Sequence, residues 1–215
     1  MRILSVNVGK SAPLTWDGQT VHSSIVKTAV AGPVQVNKLG LAGDTQTNLK
    51  VHGGALKAVY AYGKEHYAFW ASELGLTTMP HGMFGENLTV AGLDESVVQV
   101  GDTFRIGTAV VLAVQPRQPC DKLAMRFQRQ DMIERFLNSL RCGVYFAVLE
   151  EGVVTAGDKL EPLDRMAHGI SVADIVRMKL IERDDVAGMR RAVDIEALPE
   201  KIKTLFKTRL EKMVG

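Results

Sequence analysis

The sequence predicts a mainly β fold with inserted helices, followed by a small α-helical module. Three observations carry this expectation. Residues 1–164 hold short apolar runs punctuated by Gly-Asp pairs at Gly43-Asp44, Gly101-Asp102 and Gly157-Asp158, the pattern of an antiparallel barrel or sandwich. Two segments within that region switch to a helical period. After Arg165 the strand signals stop and helical ones replace them. The expected organisation is a β domain over 1–164 and a three-helix module over 165–215.

Ile3, Val6 and Val8 open the first strand, and Ile25 to Val36 holds two more around the Gly32-Pro33 turn. Ala58 to Tyr62, Leu88 to Val90, Val97 to Val100 and Phe104 to Ile106 continue the series, followed by Val110 to Val114, Val144 to Leu149 and Val153 to Thr155. In the first inserted helix Tyr67, Trp70, Ala71 and Leu74 fall at i, i+3, i+4 and i+7, and Gly75 ends it. His66 lies on that helix and is expected to reach solvent. Asp131 and Glu134 resemble a capping box opening the second, with Ile133, Phe136, Leu137 and Leu140 as its apolar face. In the tail, Ser171 can cap a helix with Asp174 in its first turn and Val172, Ile175 and Val176 on one face. A short helix is expected near Val186 to Val193. Pro199 suits the first position of a third, striped by Ile202, Leu205, Phe206, Leu210 and Met213.

A chain of 215 residues can bury a sizeable core without covalent staples. The net charge of +2 gives no basic footprint for nucleic acid, and the tail's 11 basic and 8 acidic residues read as a solvated face. Two cysteines 22 positions apart do not form a disulfide framework. No apolar run approaches the roughly 18 residues of a membrane helix. The start Met1-Arg2-Ile3-Leu4-Ser5-Val6 lacks the pattern of a signal peptide, so a cytoplasmic location is expected, with no nucleic-acid or membrane partner.

Dinucleotide, Walker A, zincin and nucleophile-elbow motifs are absent. Three polar stretches remain. Gly40-Leu41-Ala42-Gly43-Asp44 leads to His52-Gly53-Gly54-Ala55-Leu56-Lys57, where paired glycines let backbone N–H groups approach an anion and Lys57 adds charge, or else a tight turn carries a surface lysine. Phe84-Gly85-Glu86-Asn87-Leu88 offers the Asn87 amide, able to donate and accept at a heterocycle edge, or an Asx turn opening a strand. Gln115-Pro116-Arg117-Gln118-Pro119-Cys120 places a thiol on a stiff loop beside a guanidinium. A thiolate there is both a nucleophile and a soft-metal ligand, and Arg117 suits a phosphate. Cys142 precedes a buried strand and reads as structural, and His81 reads as a loop histidine.

These stretches, with Val100-Gly101-Asp102, follow one another in the order and spacing of the MOSC domain, named for the C-terminal part of molybdenum-cofactor sulfurase. The chain most resembles the bacterial YiiM-type branch, whose members end in a three-helix module. The resemblance implies a β-barrel holding a molybdenum cofactor (Mo-molybdopterin). It implies Cys120 as the metal ligand and catalytic residue, and His52, Gly53, Gly54, Lys57, Asn87 and Arg117 as cofactor-lining positions. It further implies a reductase of small N-hydroxylated compounds such as hydroxylamino-purines and amidoximes, serving detoxification. A sulfur carrier with a persulfide on Cys120 is the alternative. A reductase of this kind needs a separate flavoprotein or iron–sulfur protein as electron donor, because the chain has neither a dinucleotide fingerprint nor four cysteines for a cluster. Partner docking and homodimer contact both remain open for the tail.

Overall fold

The computed structural model describes residues 1–47 and 53–214. In chain order the N-terminal strands are β1 (Arg2–Val8), β2 (Ala12–Trp16), β3 (Gln19–Ser23), β4 (Thr28–Ala29), β5 (Val34–Asn37) and β6 (Gly40–Leu41). A single 3-10 turn, Ala55–Lys57, precedes β7 (Val59–Gly63), helix α1 (Glu65–Leu74), β8 (Leu88–Ala91), β9 (Thr103–Ile106) and β10 (Ala109–Pro116). Helices α2 (Asp121–Phe127) and α3 (Met132–Asn138) lead to β11 (Val144–Glu150), β12 (Gly152–Val154) and β13 (Leu160–Asp164). Helices α4 (Val172–Leu180), α5 (Val186–Val193) and α6 (Glu200–Val214) end the chain.

The main sheet is mixed, in the order β13-β9-β10-β11-β7-β8-β1-β4. Every pair is antiparallel except β7 and β8, which run parallel because α1 lies in the crossover between them. Strand β1, next to β4 at one end of the sheet, meets the residue before β13 at the other end through an isolated bridge, Arg2 with Lys159, not through a continuous ladder. Hydrogen bonds from Ile3 N–H to the Asp158 carbonyl (2.9 Å) and from Gly157 N–H to the Ile3 carbonyl (2.8 Å) flank that bridge. Strand β10 occupies the middle of the core. Its run Val110-Val111-Leu112-Ala113-Val114 is apolar on both faces because neighbouring elements, α4 among them, cover it. Val172, Ile175 and Met178 of α4 and Phe206 of α6 belong to the same apolar cluster as Phe104 and Phe146 of the sheet.

Several expected features have local causes that the structure makes plain. Gly75 closes α1 in the left-handed conformation (φ 65°) and donates to the last carbonyls. Ser171 and Asp174 form a full capping box at α4, each side chain taking the other's backbone N–H. Other expectations are corrected. Asp131 makes no capping bond; it faces Arg129 and Arg135 instead, so α3 starts without the box. Val97 to Val100 is not a strand: Val97 and Val98 turn back on the Asp94 carbonyl, and only Gln99 bridges, to Ser171. His66 does not reach solvent. It is buried against Glu95 (2.8 Å) because α1 packs on the loop after β8. The β2–β3 hairpin turns at Asp17-Gly18, whose φ values of 49° and 71° give the turn that matches strand twist.

Candidate functional site

The Phe84–Asn87 loop is held from beneath by a buried carboxylate. Glu86 is fully buried and accepts hydrogen bonds from the Tyr67 hydroxyl, the Gly82 and Phe84 N–H groups (2.8 and 3.1 Å) and Thr89 Oγ1 (2.8 Å). Burial raises the Glu86 pKa, and the donors around it pull the other way. Such a satisfied network rigidifies what it supports. Gly85 stands at φ 75°, and a β-carbon there would lie 2.9 Å from Ile25 Cγ1, so the loop needs glycine to close on that side chain.

Asn87 follows, and its amide is committed. Oδ1 accepts the Tyr60 N–H (3.1 Å), while Nδ2 donates to the Asn7 carbonyl (3.3 Å) and to Asp44 Oδ2 (2.8 Å). The residue therefore stitches β7 to β1, and the Gly43-Asp44 turn to both. Asp44 also receives the Gly9 N–H (2.7 Å) and the Lys27 ammonium. Burial lowers the Lys27 pKa against the pull of Asp44.

Beyond this frame lies an open cleft of about 100 Å³. Arg117, Cys120, Lys57 and Asn87 line it, together with Lys27, Asp44, Lys122, Tyr60 and Tyr145. Among the described residues four basic side chains thus face one carboxylate. Arg117 is 6% exposed, and its Nη1 is buried with no hydrogen-bond partner among the described residues. The guanidinium rests over the Tyr60 ring (5.1 Å) and the Phe136 ring (5.8 Å). Burial opposes its charge, but Tyr60, Tyr145 and Cys120 outweigh that effect and raise its pKa.

Cys120 is half-buried at the start of α2, its backbone extended and its carbonyl accepting the Leu123 N–H (2.8 Å). A second cavity, of about 600 Å³, lies beyond it. Cys120, Lys57 and Tyr145 line both spaces. The thiol therefore stands at their junction.

The other expected positions fare differently. His52 lies outside the described residues. Gly53 and Gly54 line neither space, and the Gly54 N–H donates to Gln46 Oε1 (3.3 Å), so the paired glycines build a turn there. Cys142 is buried, its thiol pKa is pushed up by burial, and its carbonyl accepts the Tyr60 hydroxyl (3.0 Å), consistent with a structural position. His81 packs edge-on to Tyr67, away from both cavities. Lys27, Lys122, Lys179 and Lys201 carry no signal in the sequence that marks them for the site. Each is an ordinary lysine locally, and only the fold brings it there. Among the described residues no three His, Cys, Asp or Glu side chains converge as a metal site. No helix among them is long and apolar enough to cross a membrane.

Comparison with known proteins agrees with this architecture. The MOSC domain matches residues 48–161, and the YiiM-like 3-alpha helix domain matches residues 170–212. The uncharacterized protein YflK of Bacillus subtilis is 39% identical over 212 residues, 99% of this chain and 96% of that protein. The crystal structure of YiiM from Geobacillus stearothermophilus superposes with a TM-score of 0.82 at 38% identity, covering 97% of this chain and 98% of that one. A protein named reductase from Gibberella moniliformis is 31% identical over 179 residues, 82% of this chain but only 32% of that longer protein. The chain belongs to the MOSC-domain family and carries the YiiM-like three-helix domain at its C-terminal end.

Proposed function

We propose that this protein is a molybdenum-cofactor-dependent reductase of small N-hydroxylated compounds, with Cys120 as the one protein ligand to the metal. The observation that carries this reading is the thiol at the junction of two cavities, beside a buried guanidinium whose Nη1 has no hydrogen-bond partner among the described residues. A buried donor without a partner costs about 1–3 kcal/mol, and a ligand phosphate would relieve that cost. The residues fit the group in kind: one thiolate for a soft metal, and Arg117, Lys27, Lys57 and Lys122 for a phosphate and a polar heterocycle. Because no protein metal cluster converges here among the described residues, a metal would arrive with ligands of its own. When bound, the cofactor supplies the two-electron chemistry that removes oxygen from an N–OH group as water.

The chain's own residues bind and orient. Arg117 and Lys57 hold negative charge, and the Glu86 network fixes the wall of the cleft. Tyr60 supports the Arg117 guanidinium on its ring and spends its hydroxyl on the Cys142 carbonyl. The family's closed barrel is part of the same reading, supported by the Arg2–Lys159 bridge from β1 to the residue before β13. The reductase name of the fungal relative adds weight, though the match covers only 32% of that protein.

Electrons must come from a separate flavoprotein or iron–sulfur protein. The test is turnover of an amidoxime or hydroxylamino-purine by protein made in a host that synthesises the cofactor, with NADPH, with and without a flavoprotein reductase. Turnover only with the reductase is expected. Robust turnover by the chain and NADPH alone would overturn the electron path. A Cys120 persulfide in protein without molybdenum would favour the sulfur carrier instead.

A further inference from the structure

The larger cavity has a charge pattern that the cleft's chemistry leaves unused. It lies between the Gln115–Cys120 loop on one side and α4 and α6 on the other. Lys179 of α4 and Lys201 of α6 line it with Lys57, and among the described residues no Asp or Glu does. The lysines are close enough to act on one another. Burial first, then the charges of Lys201, Arg209 and Lys57, lower the Lys179 pKa to about 8. Lys57 is lowered by burial and then by Lys201. Crowding Lys179 and Lys201 at one wall works against folding, so a bound anion is the natural reason to keep them there. Thr204 and Thr208 add hydroxyl donors on the α6 side. The volume, about 600 Å³, is within the roughly 300–1,000 Å³ of small-molecule sites and far exceeds what one phosphate fills.

We propose that this cavity is a phosphate-binding substrate chamber, so that the compounds processed at Cys120 are N-hydroxylated nucleoside monophosphates in preference to free bases. The inference rests on the reductase reading for the chemistry at Cys120, and on the cavity alone for the phosphate. The three-helix module then has a role: it supplies Lys179 and Lys201, the two lysines that select the substrate.

The test is calorimetric titration of the cofactor-loaded chain with AMP, adenosine and inorganic phosphate near neutral pH. AMP should bind about tenfold or more tightly than either of the others. The double variant Lys179→Met, Lys201→Met should bring AMP to within about twofold of adenosine, and Lys179→Arg, Lys201→Arg should keep the preference if the fold is intact. Equal affinity for AMP and adenosine would overturn the proposal, as would inorganic phosphate binding as tightly as AMP. AMP binding only to cofactor-free protein would assign the lysines to the cofactor's own phosphate and also overturn it. An AMP preference in a chain without reductase turnover supports the chamber and sinks the reductase reading alone. Turnover of a hydroxylamino-purine without any AMP preference does the reverse.

Discussion

Arg117 shows most directly what one residue contributes. It follows Pro116 at the end of β10, is almost fully buried, and points a guanidinium nitrogen at no partner among the described residues. Replacing it by Ala removes a charge-assisted contact worth about 1.5–3 kcal/mol to a bound phosphate. Replacing it by Lys keeps the charge but loses the planar fork. Both variants, purified from a cofactor-making host, should hold less molybdenum per chain than the parent. Full occupancy in both would place the phosphate elsewhere. Arg117, Lys57 and Cys120 are legible in the sequence because a stiff Pro-Arg-Gln-Pro-Cys loop and a lysine after paired glycines are local patterns. Asn87 is legible as a cleft position, but the use of its amide is not. Whether that amide faces a ligand or a neighbouring strand depends on Tyr60, Asn7 and Asp44, which reach it only through the fold. The Gly54 N–H is taken by Gln46, a partner that likewise reaches it only through the fold.

At the scale of elements, α4 carries both a structural device and a cost. Its start is held by the Ser171–Asp174 capping box, which is readable from spacing. Near its end Lys179 is pressed toward Lys201, Arg209 and Lys57, which no local pattern announces. The folded-state pKa of about 8 lies below the ordinary 10.5, so between those values the unfolded chain binds more protons and stability from this group rises with pH. Below about pH 8 the charged lysine is held at full cost. Lys179→Met removes the group, so the melting-temperature advantage of this variant over the parent should shrink between about pH 8 and 10.5. A difference that stays constant over that range would mean that Lys179 is not under electrostatic strain. Helices α1, α4 and α6 are visible in the sequence through their apolar periodicity. The expected Val97–Val100 strand does not form because a local turn onto Asp94, whose side chain also takes the Ser96 N–H, overrides an apolar run.

For the whole molecule, the sheet and the C-terminal helices together line two cavities that share Lys57, Cys120 and Tyr145. Strand β10 delivers the loop that ends in Cys120, the Glu86 network holds the loop whose Gly85 and Asn87 line the cleft, and α4 and α6 line the larger cavity. The mainly β region and the helical tail are legible because strand and helix periods differ. Their joint cavity is not, because Lys179 and Lys201 lie 59 and 81 positions beyond Cys120 along the chain. The central question is whether Cys120 binds the metal. X-ray absorption at the molybdenum edge counts sulfur ligands directly. In protein loaded with cofactor, Cys120→Ser should show one fewer Mo–S interaction than the parent, while Cys142→Ser should show the same number as the parent. An unchanged sulfur count in Cys120→Ser would contradict the assignment of this thiol as the protein ligand.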